Sequence, residues 1–183
     1  MDKKELCSGI QEAVNGFHLP RQNELPELDF YMDQIISIME KRLELLSSDK
    51  DSKLITPAMI NNYVKLGIIP PPKKKRYTRE HICYLFIICT LKSVMPIPSI
   101  MEIIKAHTAT RSVYELYDMF CDIYEKMLLG AAESAKEILG DAADVKNGLA
   151  ELALFMAINA STAQFIASGA AKPLSPPAEE EKK

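Results

Sequence analysis

Residues 56–82 read TPAMINNYVKLGIIPPPKKKRYTREHI, and this stretch decides the fold that we predict for the chain. Thr56 can cap a helix, Pro57 suits the first helical position, and Gly67 suits the left-handed residue that often follows a helix C-terminus. A short helix is therefore predicted over residues 57–66. Three consecutive prolines and four basic residues come next. Because proline cannot continue a helix, this run is predicted to be extended or looped.

The predicted helix over residues 57–66 has one apolar side and one polar side. Projected at helical spacing, the polar side consists of Ala58, Asn61, Asn62 and Lys65. A small residue, two amides and a lysine suit the major groove of DNA, since asparagine can bond adenine bidentately and lysine can reach guanine or phosphate. The alternative interpretation is that these residues form the solvated face of an ordinary amphipathic helix.

Charge is distributed unevenly along the 183 residues, although the net charge is only −3. The segment 53–105 carries +7 and everything outside it sums to −10. Its nine basic residues are Lys53, Lys65, Lys73, Lys74, Lys75, Arg76, Arg79, Lys92 and Lys105, against Glu80 and Glu102. Segregation of this kind favours contact with a polyanion, and a solvated basic loop that binds nothing is the alternative.

Hydrophobic spacing predicts further helices on both sides of this segment. They cover about residues 31–46, 79–94, 98–107, 111–139 and 145–168. The apolar run from Ile82 to Leu91 also fits a buried strand, but its length and the capping residue before it favour a helix. The last helix has few charges and is predicted to be buried against another surface. Its polar residues Glu151, Asn159 and Gln164 argue against a membrane span.

Composition excludes several classes of protein. With 48% apolar and 26% charged residues, the chain is predicted to be globular. The four cysteines form no CxxC pair, so neither a disulfide framework nor a metal site is expected, and Cys83 and Cys89 are predicted to act as small apolar residues. The N-terminus lacks the apolar core of a signal peptide, which favours a cytoplasmic location. The three histidines are scattered and no glycine-rich phosphate loop exists, so we expect neither an enzyme nor a cofactor.

Residues 56–72 together with RYTREHI at 76–82 resemble the recognition helix and wing of MerR-type regulators, and more closely still an uncharacterised bacterial family related to MerR. The residues that match or substitute conservatively are Tyr63, Gly67, Pro70, Lys75, Tyr77, Thr78 and Glu80. The resemblance implies a winged helix-turn-helix that binds DNA as a helical dimer. MerR proteins have arginine in place of Ala58 and arginine and tyrosine in place of Asn61 and Asn62, so part of their phosphate contacts is absent here.

The resulting prediction is a mainly α-helical fold with a small β-wing, a winged helix-turn-helix followed by a C-terminal helical hairpin. The predicted divisions are an N-terminal arm (1–28), the MerR-like domain (29–108), a helical dimerisation or effector region (109–170) and a disordered tail (171–183). Single modules of this kind gain affinity by pairing two half-sites through a dimer. The expected partners are therefore duplex DNA and a second copy of the chain, with no membrane and with an effector that the sequence does not identify.

The predicted DNA-binding residues are Ala58, Asn61, Asn62, Lys65, Lys73, Lys74, Lys75, Arg76 and Tyr77. The basic run would contact phosphates, while the asparagines and Lys65 would read bases. For Tyr77 two outcomes stay open, contact with a phosphate or packing on the domain core. The main alternative function is a protein-interaction module that keeps the fold without binding DNA, and an enzyme is the more distant one.

Overall fold

The computed structural model describes residues 2–43 and 54–174, which form seven α-helices and no β-strand. These helices are α1 (Lys3–Asn15), α2 (Met32–Leu43), α3 (Pro57–Lys65), α4 (Arg79–Leu91), α5 (Ile97–Thr108), α6 (Val113–Asp141) and α7 (Val145–Ala171). A single 3-10 turn, Lys172–Leu174, follows α7. The predicted all-α class is confirmed.

The predicted β-wing is wrong, because in the described part of the chain the segment after α3 forms no strand. Only isolated backbone pairs occur there, one between Lys73 and Arg76 and one between Phe30 and Tyr77. Residues 70–72 are all proline and offer no N–H group to a neighbouring strand. The hydrogen bonds of a β-sheet therefore cannot continue from the turn toward α3.

The predicted helices are all present, and the ambiguous run from Ile82 to Leu91 is helical as the capping argument favoured. Residues 44–53, which include the predicted end of the helix over residues 31–46, lie outside the described residues. The same holds for residues 175–183 of the tail that was predicted to be disordered. Of that tail, residues 172–174 are described and form the 3-10 turn.

The chain divides into two compact units. One comprises Met1–Leu19 and Met119–Ala167, and we call it the hairpin unit because it holds most of α6 and α7. The other comprises Pro20–Asp118 and Ser168–Lys183, and we call it the basic unit because it contains the whole +7 segment.

Helix α4 forms the centre of the basic unit. Eight of its thirteen residues are buried, so apolar side chains surround it on most sides, which explains why its sequence shows no clear polar face. Ile35 and Met39 of α2 and Ile60 of α3 contribute fully buried side chains to the same core. Burial raises the pKa of the Cys89 thiol to about 11, although nearby Lys92 opposes this shift. Cys89 is therefore a protonated, apolar core residue, as predicted.

In the hairpin unit, α1 lies antiparallel to the second half of α6. The Lys3 ammonium donates hydrogen bonds to the carbonyls of Gly140 and Ala142 at the end of α6, where the helix dipole favours a positive charge. At the other end of α1, the Glu125 carboxylate accepts the backbone N–H of Leu19 at 3.0 Å and lies 3.1 Å from Nδ1 of His18. These two contacts set the position of α1 along α6.

Most of α7 is exposed, contrary to the prediction that it would be buried. The large apolar residues on its surface are Leu149, Leu154, Phe155, Ile158, Phe165 and Ile166, and Phe165 is 78% exposed. By length and composition alone, Val145–Leu174 could cross a membrane, and none of its most apolar window is buried. The sequence pattern identified the apolar surface correctly, but the residues that the structure describes leave it uncovered.

Candidate nucleic-acid interface

The local sequence of α3 places its polar face on the surface of the basic unit. The hydroxyl of Thr56 accepts the backbone N–H of Met59 at 3.2 Å, and Pro57 occupies the first turn. After the helix, Gly67 adopts a φ of 69°, a conformation that glycine takes without steric cost. With both ends set in this way, Ile60 and Tyr63 point into the core. The four residues predicted for the polar face, Ala58, Asn61, Asn62 and Lys65, are all exposed.

The segment that follows carries a tight turn, Lys73–Arg76, which we call the basic turn. The N–H of Arg76 donates to the carbonyl of Lys73 at 2.9 Å, and the two residues between them have φ values of 50° for Lys74 and 61° for Lys75. Two successive left-handed residues are typical of a type I′ turn, in which asparagine and glycine are usual. A left-handed conformation costs a non-glycine residue about 1–2 kcal/mol. All three lysines of the turn are exposed.

A segment distant in the sequence supports the basic turn. Phe30 and Tyr77 exchange two backbone hydrogen bonds, each 2.8 Å long. Next to this pair, the guanidinium of Arg76 lies 3.6 Å from the centre of the Tyr31 ring, a cation–π contact. Sequence reasoning missed Tyr31, because no spacing rule connects it to a residue 45 positions later. The only signal in the sequence for a role of Tyr31 was its position directly before an amphipathic helix.

His81 ties the start of α4 to the segment entering the basic turn. Its Nδ1 accepts the backbone N–H of Thr78 at 3.0 Å, and its Nε2–H donates to the carbonyl of Pro70 at 3.1 Å. A ring that accepts through one nitrogen and donates through the other is neutral. Burial lowers the pKa of His81, while the bond to Pro70 and the charges of Glu80 and Asp29 oppose this shift.

Of the two outcomes left open for Tyr77, the structure shows packing on the core. Its side chain is 3% exposed, its ring meets that of His81 edge-on at 5.2 Å, and burial raises its pKa. Little of the ring is therefore available to a DNA phosphate. We therefore treat Tyr77 as a support of the basic turn.

Several of the nine basic residues in the +7 segment are engaged within the chain. Arg79 pairs with Glu27 at 2.9 Å and Lys105 with Glu102 at 3.2 Å. The Lys92 ammonium donates to the carbonyl of Leu54 and thereby anchors the segment before α3. Lys53 lies outside the described residues. Of the nine basic residues in this segment, those that the structure describes as exposed and without an ion pair are Lys65, Lys73, Lys74 and Lys75.

Part of the predicted site comes together around one cavity of about 550 Å³. It is lined by Tyr31, Met32 and Asp33 at the start of α2, Asn61 of α3, and Pro72, Lys75 and Tyr77 around the basic turn. Asn61 and Lys75 therefore belong to one surface, although 14 positions separate them in the sequence. Among the residues that the structure describes, no group of three histidines, cysteines or carboxylates could hold a metal ion.

The basic unit is thus a small helical unit that exposes a polar helix face next to a strained, lysine-rich turn. The chain belongs to the family described as Domain of unknown function (DUF1836), whose model matches residues 20–121. This match coincides closely with the main segment of the basic unit, Pro20–Asp118. Neither a curated protein nor a solved structure matches the chain.

Proposed function

We propose that the basic unit binds duplex DNA, and that the chain acts in the cytoplasm as a dimeric transcriptional regulator of the MerR-like type. The observation that carries this proposal is the shared surface of Asn61 and Lys75, which line the same cavity. An amide that can read a base edge lies beside a cation that can hold the DNA backbone. Recognition of a DNA sequence requires both kinds of contact.

Helix α3 would enter the major groove, which is about 12 Å wide and admits an α-helix. Its exposed face is made of one alanine, two asparagines and a lysine, and the apolar opposite side holds it on the core. Asn61 and Asn62 would read base edges, and Lys65 in the last turn would reach guanine or phosphate. Ala58 would allow close approach of the helix to the groove.

Lys73, Lys74 and Lys75 would bind phosphates and release counterions, which adds affinity without sequence information. These side chains are available because they form no ion pair within the described residues. Arg76 would add a fourth contact, since a guanidinium stacked on a ring keeps the N–H donors at its edge free. The basic turn would therefore lie against the sugar-phosphate backbone.

The resemblance to MerR regulators supports this assignment on two points. It matches the helix from Thr56 to Gly67, and it matches the approach to the next helix through Tyr77 and Thr78. In this chain, however, the wing is reduced to the basic turn and an arginine is missing at Ala58. We therefore expect weaker phosphate binding per subunit, which makes pairing of two subunits more important.

A second copy of the chain would bind along α7. The exposed residues Leu154, Ile158 and Phe165 follow each other at intervals of four and seven, which places them in one stripe along the helix. A stripe with polar residues such as Asn159 and Gln164 beside it fits packing against another helix better than insertion into lipid. The helix is about 40 Å long, enough for a substantial interface.

The experiment that tests DNA binding is fluorescence anisotropy of the purified protein with duplexes enriched from a random library. Binding should weaken linearly on a plot of log K against log salt. The double variant Lys74→Ala/Lys75→Ala should flatten that slope by up to about two units, because two phosphate contacts are lost. An unchanged slope would remove the basic turn from the interface.

Asn62→Ala serves as the matched control for sequence reading. It should reduce discrimination at one base pair by roughly 1–3 kcal/mol and leave the salt slope unchanged. Equal weakening on all duplexes would contradict base reading by α3. An absence of binding to any duplex at low salt would reject the proposed function.

The second candidate is a protein-interaction module, and two exposed aliphatic residues of the basic unit favour it. Leu28 is 71% exposed and Leu66, at the end of α3, is 48% exposed. Exposed aliphatic side chains can pack against a protein partner, whereas they form no favourable contact with DNA phosphates. Failure to bind DNA while both leucines prove necessary for capture of a protein partner would support this candidate.

A further inference from the structure

We propose that the cavity between α2, α3 and the basic turn is a nucleotide-binding site, and that a nucleotide bound there excludes duplex DNA. The volume of about 550 Å³ lies within the range of small-ligand sites, about 300–1,000 Å³. The site goes beyond the proposed function, because its lining residues would hold a nucleotide whether or not the protein binds DNA. Its effect on DNA rests on that function.

The walls of the cavity are held in place without a ligand. Tyr31 is fixed from two sides, by Arg76 over its ring at 3.6 Å and by its backbone N–H, which donates to the Gln34 side chain at 2.8 Å. Tyr77, on another wall, is fixed by its double hydrogen bond to Phe30. Because these two side chains are already ordered before a ligand binds, the cavity can hold a flat ring with little loss of side-chain entropy.

The polar groups of the cavity complement the two ends of a nucleotide. Lys75 is an unpaired cation for a phosphate, and Arg76 lies next to it in the chain. Asp33 offers only acceptors, while the Asn61 amide offers both a donor and an acceptor. A base with N–H donors on its edge fits this set. Guanine fits best, because its adjacent ring N–H and amino group match the two oxygens of one carboxylate.

A nucleotide and duplex DNA would use the same side chains. Asn61 and Lys75 line the cavity and also belong to the proposed DNA interface. When they hold a base and a phosphate group of the small ligand, they are no longer available to the duplex. The site would therefore act as an effector site that releases DNA by direct competition, with no change in conformation required.

The test begins without DNA, by isothermal titration calorimetry of the full chain with GMP, AMP and UMP. We expect GMP to bind most tightly. Asp33→Asn should weaken GMP binding about tenfold and UMP binding much less, since only the base contact is altered. Tyr31→Ala should weaken all three nucleotides. Absence of binding by every nucleotide would overturn the proposal.

Matched controls locate the site. Glu40→Gln removes an exposed carboxylate on the same helix as Asp33, and Leu28→Ala removes an exposed side chain near Tyr31. Neither residue lines the cavity, so both variants should bind GMP as tightly as the wild type. If Asp33→Asn and Tyr31→Ala also bind GMP normally, the nucleotide binds elsewhere and the assignment fails.

Competition is measured by adding GMP to the complex with labelled duplex. GMP should release the duplex from the wild type, and about tenfold more GMP should be needed with Asp33→Asn. A duplex that stays bound at saturating GMP would overturn the exclusion. Failure of the duplex to bind in the absence of GMP would instead reject the proposed function, and calorimetry would still decide on the nucleotide site.

Discussion

At position 81 a histidine takes the role that glutamate or glutamine has in most capping boxes, since its Nδ1 accepts the N–H of Thr78. The second ring nitrogen gives this residue a further task that a carboxylate cannot perform. Its Nε2–H holds the carbonyl of Pro70, so one side chain connects the start of α4 with the approach to the basic turn. The bond from the Thr78 N–H requires a neutral ring, because a protonated Nδ1 cannot accept a hydrogen bond, whereas the Nε2–H can donate to Pro70 in either state.

The stability of the basic unit should therefore fall as the pH decreases below about 6.5, the ordinary pKa of histidine. The pKa of His81 is lowered in the folded state, so the unfolded chain takes up the proton first. Stability is fully present above pH 6.5 and is lost as the pH falls toward the folded pKa. Urea unfolding at a series of pH values measures this loss.

His81→Gln isolates the contribution of His81 to this pH dependence, because glutamine can cap the helix but does not titrate. At pH 8 the variant should be less stable than the wild type by about 1–2 kcal/mol, owing to altered hydrogen bonds. The difference in stability should shrink toward pH 5.5, because only the wild type has a titrating group at position 81. All other titrating groups are common to both proteins. A constant difference across this range would show that His81 does not cause the loss.

The two left-handed lysines of the basic turn are the next residue-scale feature with a measurable consequence. Lys75→Gly should stabilise the fold by about 0.5–1 kcal/mol, because glycine adopts a φ of 61° without strain. Lys73→Gly removes the same charge from a neighbouring position without a positive φ, and it should destabilise the fold. Urea unfolding of both variants checks the opposite signs. Equal effects would mean that the turn stores no strain.

The sequence predicted these residues unequally. The polar face of α3 follows from helical periodicity, so Asn61 and Asn62 were placed correctly on the surface. For Tyr77 the sequence left phosphate contact and core packing both open, because periodicity does not indicate how deep a loop residue lies, and the residue is buried. Tyr31 was missed, since its contact with Arg76 depends on the pairing of two segments that are distant in the sequence.

At the scale of elements, the turn between α6 and α7 depends on a glycine inside a helix. A Cβ atom at Gly148 would lie 2.9 Å from Cβ of Ala142 and 3.2 Å from a methyl group of Leu139. At the start of α7, the carboxylate of Asp144 accepts the backbone N–H of Asn147 and caps the first turn of the helix. The two helices can approach closely only because position 148 lacks a side chain.

Gly148→Ala should therefore destabilise the hairpin unit by about 1–2 kcal/mol, although alanine favours helix formation. Gly130→Ala is the matched control, because a Cβ atom at Gly130 would meet nothing within 4 Å. It should stabilise α6 by about 0.5–1 kcal/mol. Thermal and urea unfolding of both variants give the sign, and a stabilising Gly148→Ala would refute the close approach.

Helix boundaries were the most predictable feature of the fold, because capping residues and prolines mark them directly. The predicted strands of the wing were not formed, although the resemblance implied them. Proline at 70–72 removes the N–H groups that a ladder needs, and this argument was already contained in the sequence. Local chemistry was a better guide here than the resemblance.

At the scale of the whole molecule, the exposed surface of α7 is the feature that a monomer in water leaves unexplained. Leu154 and Phe165 are 62% and 78% exposed on a helix that carries no charge from residue 152 to residue 171. An apolar surface of this length normally marks an interface. The uncharged, apolar run of α7 already revealed this surface in the sequence.

If the proposed dimer forms along α7, the double variant Ile158→Ser/Phe165→Ser should be monomeric and should lose more than tenfold of the proposed DNA binding, because two half-sites are no longer held together. Ala160→Ser changes an exposed small residue on the same helix and should leave the dimer intact. Sedimentation velocity gives the mass of each protein. A monomeric wild type that binds lipid vesicles would point to a membrane instead.

The pairing of Phe30 with Tyr77 has a consequence for how the molecule assembles. The basic turn is held by a segment 47 positions earlier. Closing a loop of that length costs conformational entropy before the contacts that stabilise it can form. The surface around the basic turn therefore depends on a contact of long sequence separation. A fragment that begins at α3 would contain all nine predicted contact residues but would lack the segment that holds them together. The smallest piece of the chain suitable for binding studies therefore begins at Pro20, where the match to the family also begins.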